Sequence, residues 1–115
     1  MERYMRIAGI GCRPGTPLPA LLAALEAAGG ADALATIPER APELRPLAHA
    51  RDLPLHLVAV AGIATPTQSV RILAAFDTGS VAEAAAIAAS LDGGGRLTHP
   101  RRTFGPVTIA IAEVP

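Results

Sequence analysis

This chain has to build a core with almost no bulk. Alanine supplies 25 of its 115 residues, whereas the aromatic side chains are limited to Tyr4, Phe76 and Phe104. Such a composition close-packs only if its layers come into near contact, with Ala, Leu, Ile and Val interdigitating across short gaps. Hydrophobic residues make up 50% and charged residues 17%, which gives the chain ample apolar surface and sets it apart from disordered segments. Its length fits one domain over residues 1–115, large enough to bury a core without staples.

Charge excludes some partners. Ten basic residues balance ten acidic ones, so no global field draws the chain to nucleic acid, and aromatic platforms for stacking bases are missing. Cys12 is the single cysteine, which rules out an internal disulfide, and the three histidines show no metal-ligand spacing. No metal and no cofactor are expected. No apolar run reaches the length of a membrane span, and the charged N-terminus leads into a strand rather than a signal segment. A cytoplasmic protein without membrane or nucleic-acid partners is the expectation.

Periodicity then places the elements. Tyr4 to Ile10 reads as a strand covered on both faces, followed by a loop, Gly11-Cys12-Arg13-Pro14-Gly15-Thr16-Pro17. Thr16 is the expected N-cap and Pro17 the first helical residue of a helix whose Leu18, Leu21, Leu22 and Leu25 share one face, with Gly29-Gly30 as its stop. Leu34 to Ile37 forms a short second strand. A helix ending near Arg51 follows, which Pro46 should either delay or kink. Leu53 to Val60 reads as a third strand, Gly62 to Pro66 as a turn and Thr67 to Phe76 as a helix. Ser80 and Glu83 have capping-box spacing before the alanine-rich helix that ends at Gly93-Gly94-Gly95. Arg96 to Thr98 and Val107 to Ala112 read as two strands joined by a polar connection. Strands alternating with helices predict an α/β fold with helices on both faces of a sheet that turns mixed near its C-terminal edge.

The loop after the first strand is the leading binding candidate. Backbone N–H groups at a helix start hold anions, here from Cys12, Arg13, Gly15 and Thr16, with Arg13 able to add a bidentate contact to a carboxylate. The loop matches neither the dinucleotide fingerprint nor a P-loop. Thr67, Ser69, Gly79 and Ser80 mark two further polar turns ahead of helices, and Arg96, Arg101 and Arg102 form a basic cluster. For catalysis the candidates are His99, Glu83 and Cys12, as titratable groups near strand ends or helix starts. No nucleophile–base pair is visible, so the sequence leaves open whether the chain is an enzyme.

Five segments in order carry a resemblance: Gly9-Ile10-Gly11-Cys12-Arg13-x-Gly15-Thr16, Leu34-Ala35-Thr36-Ile37, Thr65-Pro66-Thr67-Gln68-Ser69, Thr78-Gly79-Ser80-Val81-Ala82-Glu83-Ala84-Ala85-Ala86, and Val107-Thr108-Ile109-Ala110-Ile111-Ala112. Together they resemble the CobE family of cobalamin biosynthesis, whose module also forms the C-terminal domain of CbiG proteins. The resemblance implies a three-layer α/β/α sandwich with a small mixed sheet. It also implies a tetrapyrrole-binding cleft walled by the first loop and the Gly79-Ser80 helix start. Carried onto this sequence, the implied substrate-binding residues are Gly11, Cys12, Arg13, Gly15, Thr16, Thr67, Ser69, Gly79 and Ser80; Glu83 also carries over, and Arg101 joins them from the basic cluster. The chain departs from the family pattern at Glu39-Arg40-Ala41-Pro42-Glu43, in a shortened stretch from Leu57 to Thr65, and at Arg101-Arg102, where a lysine is more common.

Three functions follow from that resemblance. The leading one is binding of a precorrin-type intermediate, to assist its processing or transfer. The second is hydrolytic opening of the δ-lactone ring of a precorrin-5A-type intermediate, the reaction of CbiG proteins. The third is an accessory role contacting corrin methyltransferases. So short a chain also leaves room for a homodimer.

Overall fold

Five strands form one sheet in the order β3-β2-β1-β5-β4, with β1 (Met5–Cys12) at its centre, in a computed structural model that describes residues 4–115. β2 (Ala33–Thr36) and β3 (Leu55–Leu57) run parallel to β1, whereas β5 (Val107–Val114) is antiparallel both to β1 and to β4 (Arg96–Phe104). The sheet is therefore mixed, and helices cover both of its faces. Among the described residues, no single helix is long and apolar enough to cross a membrane.

The two faces are built from side chains of different size. Successive residues of a strand point to opposite sides, and one side takes Ala8, Ile10, Leu34, Ile109 and Ile111 into a core with Leu21, Leu25, Leu44 and Leu47. Those leucines come from α1 (Leu18–Ala27) and α2 (Ala41–Arg51). On the other side lie Ile7, Gly9, Ala33 and Ala35, beneath Ala84 and Ala85 of α4 (Val81–Ser90). Near contact between layers, expected from the alanine content, is realised on this α4 face. Each fully buried Leu or Ile contributes roughly 1.5–3 kcal/mol, so the α1/α2 face supplies more of the apolar stabilisation and the α4 face the closeness.

Several element boundaries differ from the sequence reading, each for a physical reason. The N-cap of α1 is Pro17, with no side-chain cap, because the Thr16 hydroxyl turns back to the Arg13 carbonyl at 2.7 Å. α2 does not begin late: it follows a 3-10 turn (Pro38–Arg40) and runs through Pro46. The carbonyl that Pro46 leaves without a helical donor belongs to Pro42, and both prolines lie on the exposed side of the helix. β3 stops at Leu57 because its partner β2 ends at Thr36. β4 continues through Pro100 to Phe104 instead of ending at Thr98. Proline is tolerated on an edge strand, and register shifts on both sides of His99 absorb the irregularity. Gly105 (φ 61°) and Pro106 then close a two-residue hairpin, with glycine at the first turn position where such loops want it.

α3 (Val70–Phe76) begins three residues later than expected, capped by Ser69, whose Oγ accepts from the Ile72 amide at 3.4 Å. Thr67 stays outside this helix, with its amide and hydroxyl donating to Glu83 and its carbonyl accepting from the Thr65 hydroxyl. Ile72 and Phe76 pack toward the α4-side core, while Val70 and Leu73 face outward.

Candidate ligand-binding site

At the carboxyl end of β1 the chain leaves one way for α1 and the parallel partner β2, while antiparallel β5 begins on the other side. Ligand crevices in open α/β sheets form at such switch points. Here a cleft of about 780 Å³ opens between the β1–α1 loop, the 3-10 turn after β2, α3, the start of α4 and the β4–β5 hairpin. Its volume lies in the roughly 300–1,000 Å³ range of small-molecule sites.

The chemistry of its lining is one-sided. Four arginines come from four different elements: Arg13 from the first loop, Arg40 from the 3-10 turn, Arg71 from α3 and Arg101 from β4. Ile37, Ile72, Phe76, Val81 and Pro106 provide apolar surface, and Ser69, Ser80, Thr103 and Thr108 add hydroxyls. Among the described lining residues there is no Asp, Glu or His; the ionisable groups are Cys12 and the four arginines. Arg40 is partly spoken for, with its Nη1 3.4 Å from Glu43 Oε1.

The first loop is not an open amide cradle. The Thr16 amide donates to the Arg13 carbonyl at 3.2 Å, and the Gly15 amide donates to Glu43 Oε2 at 3.0 Å. Two of the four N–H groups expected to meet a ligand, those of Gly15 and Thr16, thus have partners inside the chain. Arg13 stays exposed at the rim. Burial pushes the Cys12 thiol above its ordinary range; a hydrogen bond with Thr16 and the Arg40 charge pull it part of the way back, and Glu43 adds to the rise. Cys12 is therefore a protonated thiol at neutral pH and a poor nucleophile.

Glu43 moves the other way. The Gly15 N–H holds its carboxyl below the usual carboxylate range, assisted by its own amide and Arg40 and opposed by desolvation. A carboxyl depressed in the fold stabilises it above the unfolded-state value, and this contribution is lost as pH falls through the folded value. Following the Glu43 carboxyl by NMR should give a midpoint below that of an ordinary glutamate, with the Gly15 amide moving at the same pH. Glu43→Gln should leave the Gly15 amide flat across that window. A Glu43 midpoint at or above the ordinary value would refute this.

Behind the cleft wall lies Glu83, fully buried on the first turn of α4. Only half of the expected capping box forms. Ser80 Oγ accepts from the Glu83 amide at 3.3 Å, but the Glu83 carboxylate does not turn back to the helix start. Its Oε1 accepts from the Thr67 amide at 2.9 Å, and its Oε2 accepts from the Thr67 hydroxyl and the Arg101 amide, each at 3.0 Å. Gly79 is required beside this tie, because a Cβ there would run into the Thr67 carbonyl and come within 2.8 Å of Thr65 Oγ1.

With this geometry in view, comparison with known proteins is specific. The family model described as "Cobalamin synthesis G C-terminus" matches residues 6–112. The chain belongs to that CobE/CbiG C-terminal family of cobalamin biosynthesis. Among solved structures it is similar to CobE, described as "a protein from the cobalamin (vitamin B12) biosynthetic pathway". The identity is 31% and the TM-score 0.79, over 99% of this chain and 93% of that one. It is also similar to the cobalamin biosynthesis protein chiG from Agrobacterium tumefaciens, with 37% identity and a TM-score of 0.69, over 93% of this chain and 96% of that one. Comparison with curated proteins gives no match.

In this CobE/CbiG-type chain the two most specific motif segments, Gly9–Thr16 and Thr78–Ala86, meet at the cleft, where Gly11 lies against Val81. Of the expected binding residues, Gly11, Cys12, Arg13, Ser69, Ser80 and Arg101 line it. Gly15, Thr16, Thr67 and Gly79 do not; their hydrogen bonds and close approaches shape the walls from behind. Of the catalytic candidates, Cys12 lines the cleft and Glu83 lies behind it. His99 is exposed on β4 beside the Thr98 hydroxyl and lies outside the lining. Sequence reading missed Arg40 and Arg71. The position of Arg40, just past the carboxyl end of a parallel strand, was a usable signal. Arg71 had none, because α3 is aimed by the preceding irregular loop.

Proposed function

We propose that this chain binds a precorrin-type tetrapyrrole intermediate of cobalamin biosynthesis in the β1-end cleft and assists its processing or transfer. Such a molecule is a broad apolar ring fringed with acetate and propionate groups. Arg13, Arg71 and Arg101 would take carboxylates, as bidentate contacts where geometry allows, while the ring lies against Ile72, Phe76, Val81 and Pro106. The observation that carries this reading is the arginine quartet around an acid-free, half-apolar lining. Similarity to two proteins of the cobalamin pathway supplies the chemical class of ligand.

Binding is favoured over lactone hydrolysis because the described lining holds no Asp, Glu or His, the side chains that usually move protons near neutral pH, and burial raises the Cys12 thiol further from that range. Glu83 already receives three hydrogen bonds at its carboxylate and is walled off from the cleft. Titration with hydrogenobyrinic acid, a metal-free corrin polycarboxylate, should shift its absorption band saturably at micromolar protein. No saturable change at that concentration would sink the binding role. Incubation with a precorrin lactone should leave it unopened, and turnover to a ring-opened product would favour the hydrolase instead.

A further inference from the structure

Glu83 is the one fully buried acid among the described residues, and its cap function is already met by Ser80. In a helix whose neighbouring positions are alanine, a carboxylate removed from water is costly unless its lone pairs are well used. They are used on two distant segments. One is Thr67, two residues before the Ser69 cap of α3, the helix that presents Arg71. The other is Arg101, whose backbone has left the regular ladder. β4–β5 pairing passes from Leu97↔Ala112 to His99↔Ile111 and resumes at Arg102↔Ile109, with Pro100 inside the irregular stretch. Arg101 has no cross-strand partner there, and its amide turns to Glu83 instead.

We infer that Glu83 is a positioning residue for the cleft: its carboxylate, anchored on Thr67, pins the bulged Pro100–Arg101 segment so that the Arg101 guanidinium faces the ligand. The tie rests on the cleft being a site for a carboxylate-bearing ligand, and it adds a residue that never touches that ligand. Glutamine cannot replace it. With one oxygen and one NH₂, a glutamine leaves either the Thr67 or the Arg101 amide facing a donor.

The test is a double-mutant cycle on the full chain with hydrogenobyrinic acid as probe. Arg101→Ala is expected to weaken binding about tenfold, the loss of one charge-assisted contact. Glu83→Gln should weaken it by a similar factor, and the double variant by less than about twofold beyond Arg101→Ala alone. Multiplicative losses, or wild-type affinity in Glu83→Gln, would overturn the inference. A merely structural role would not make the second loss vanish. If Glu83→Gln does not fold, Glu83→Asp, which keeps the charge and shortens the reach, enters the same cycle with the same two readings. Exchange of the Arg101 amide, followed by NMR without ligand, separates this idea from the cleft reading. If wild-type protein binds no hydrogenobyrinic acid, the cleft reading fails. The pinning of the Arg101 segment then stands if this amide exchanges at least about tenfold faster in the variant, and falls if the rate is unchanged.

Discussion

Gly9→Ala is expected to cost about 3–4 kcal/mol, and Gly9→Val to leave the chain unfolded at room temperature. A Cβ on Gly9 would run into the Ala82 carbonyl oxygen of α4 and stand 2.6 Å from the Ala86 nitrogen and 2.8 Å from its Cβ. Two of these three are backbone atoms of a helix, which cannot rotate away, so α4 would have to lift from β1 along much of its length. That displacement opens the contact between Ala84, Ala85 and the small residues of the sheet, and it draws Ser80 and Val81 back from the cleft. A domain of this size holds roughly 5–15 kcal/mol in total. Gly15→Ala is the control: its φ of 80° favours glycine, but nothing lies within 4 Å of the added carbon. That change should cost only about 1 kcal/mol. Urea unfolding of the two variants measures the difference, and a Gly9→Ala protein within 1 kcal/mol of wild type would mean that α4 is not seated as described.

The same pair of layers shows what sequence reading can reach. Alanine content announced that two layers must nearly touch, and the apolar run of β1 marked it as a strand covered on both faces. Which face is the close one depends on Gly9, Ala33 and Ala35 lying side by side on adjacent strands, and that is a property of the sheet register. Capping spacing identified Ser80 by a local rule, but Glu83 answers to an amide 18 positions away, available only because an edge strand bulges at Pro100. The first loop was readable as a helix start after a strand, and Gly15 has the left-handed φ of such a turn. Two of the loop's amides are nevertheless occupied, Thr16 by a carbonyl three residues back and Gly15 by Glu43 from a different helix. Local chemistry set the positions of the cleft walls, and long-range pairing decided which polar groups remained free to meet a ligand. Among the side chains left free are those of Arg13 and Arg71.

Charge reversal at Arg13 and Arg71 follows from that freedom and should have the largest effect on binding. Both side chains are exposed, and among the described residues neither makes an ion pair or a side-chain hydrogen bond. Arg13→Glu/Arg71→Glu should therefore unfold in urea within about 0.5 kcal/mol of wild type. Each charge-assisted contact to a ligand carboxylate contributes about 1.5–3 kcal/mol, and the introduced glutamates add repulsion against the remaining carboxylates. Affinity for hydrogenobyrinic acid should fall by a factor of about 100 or more at low ionic strength, the deficit shrinking as salt screens the rim. Arg45→Glu/Arg51→Glu changes net charge equally, on exposed positions of α2 outside the cleft. It should bind within about threefold of wild type if contact rather than overall field holds the ligand. Arg13→Lys/Arg71→Lys should fall between, because lysine keeps the charge and loses the planar fork. Equal losses in both reversal variants would reduce the arginine quartet to a diffuse field, and no loss in either would move the ligand out of this cleft.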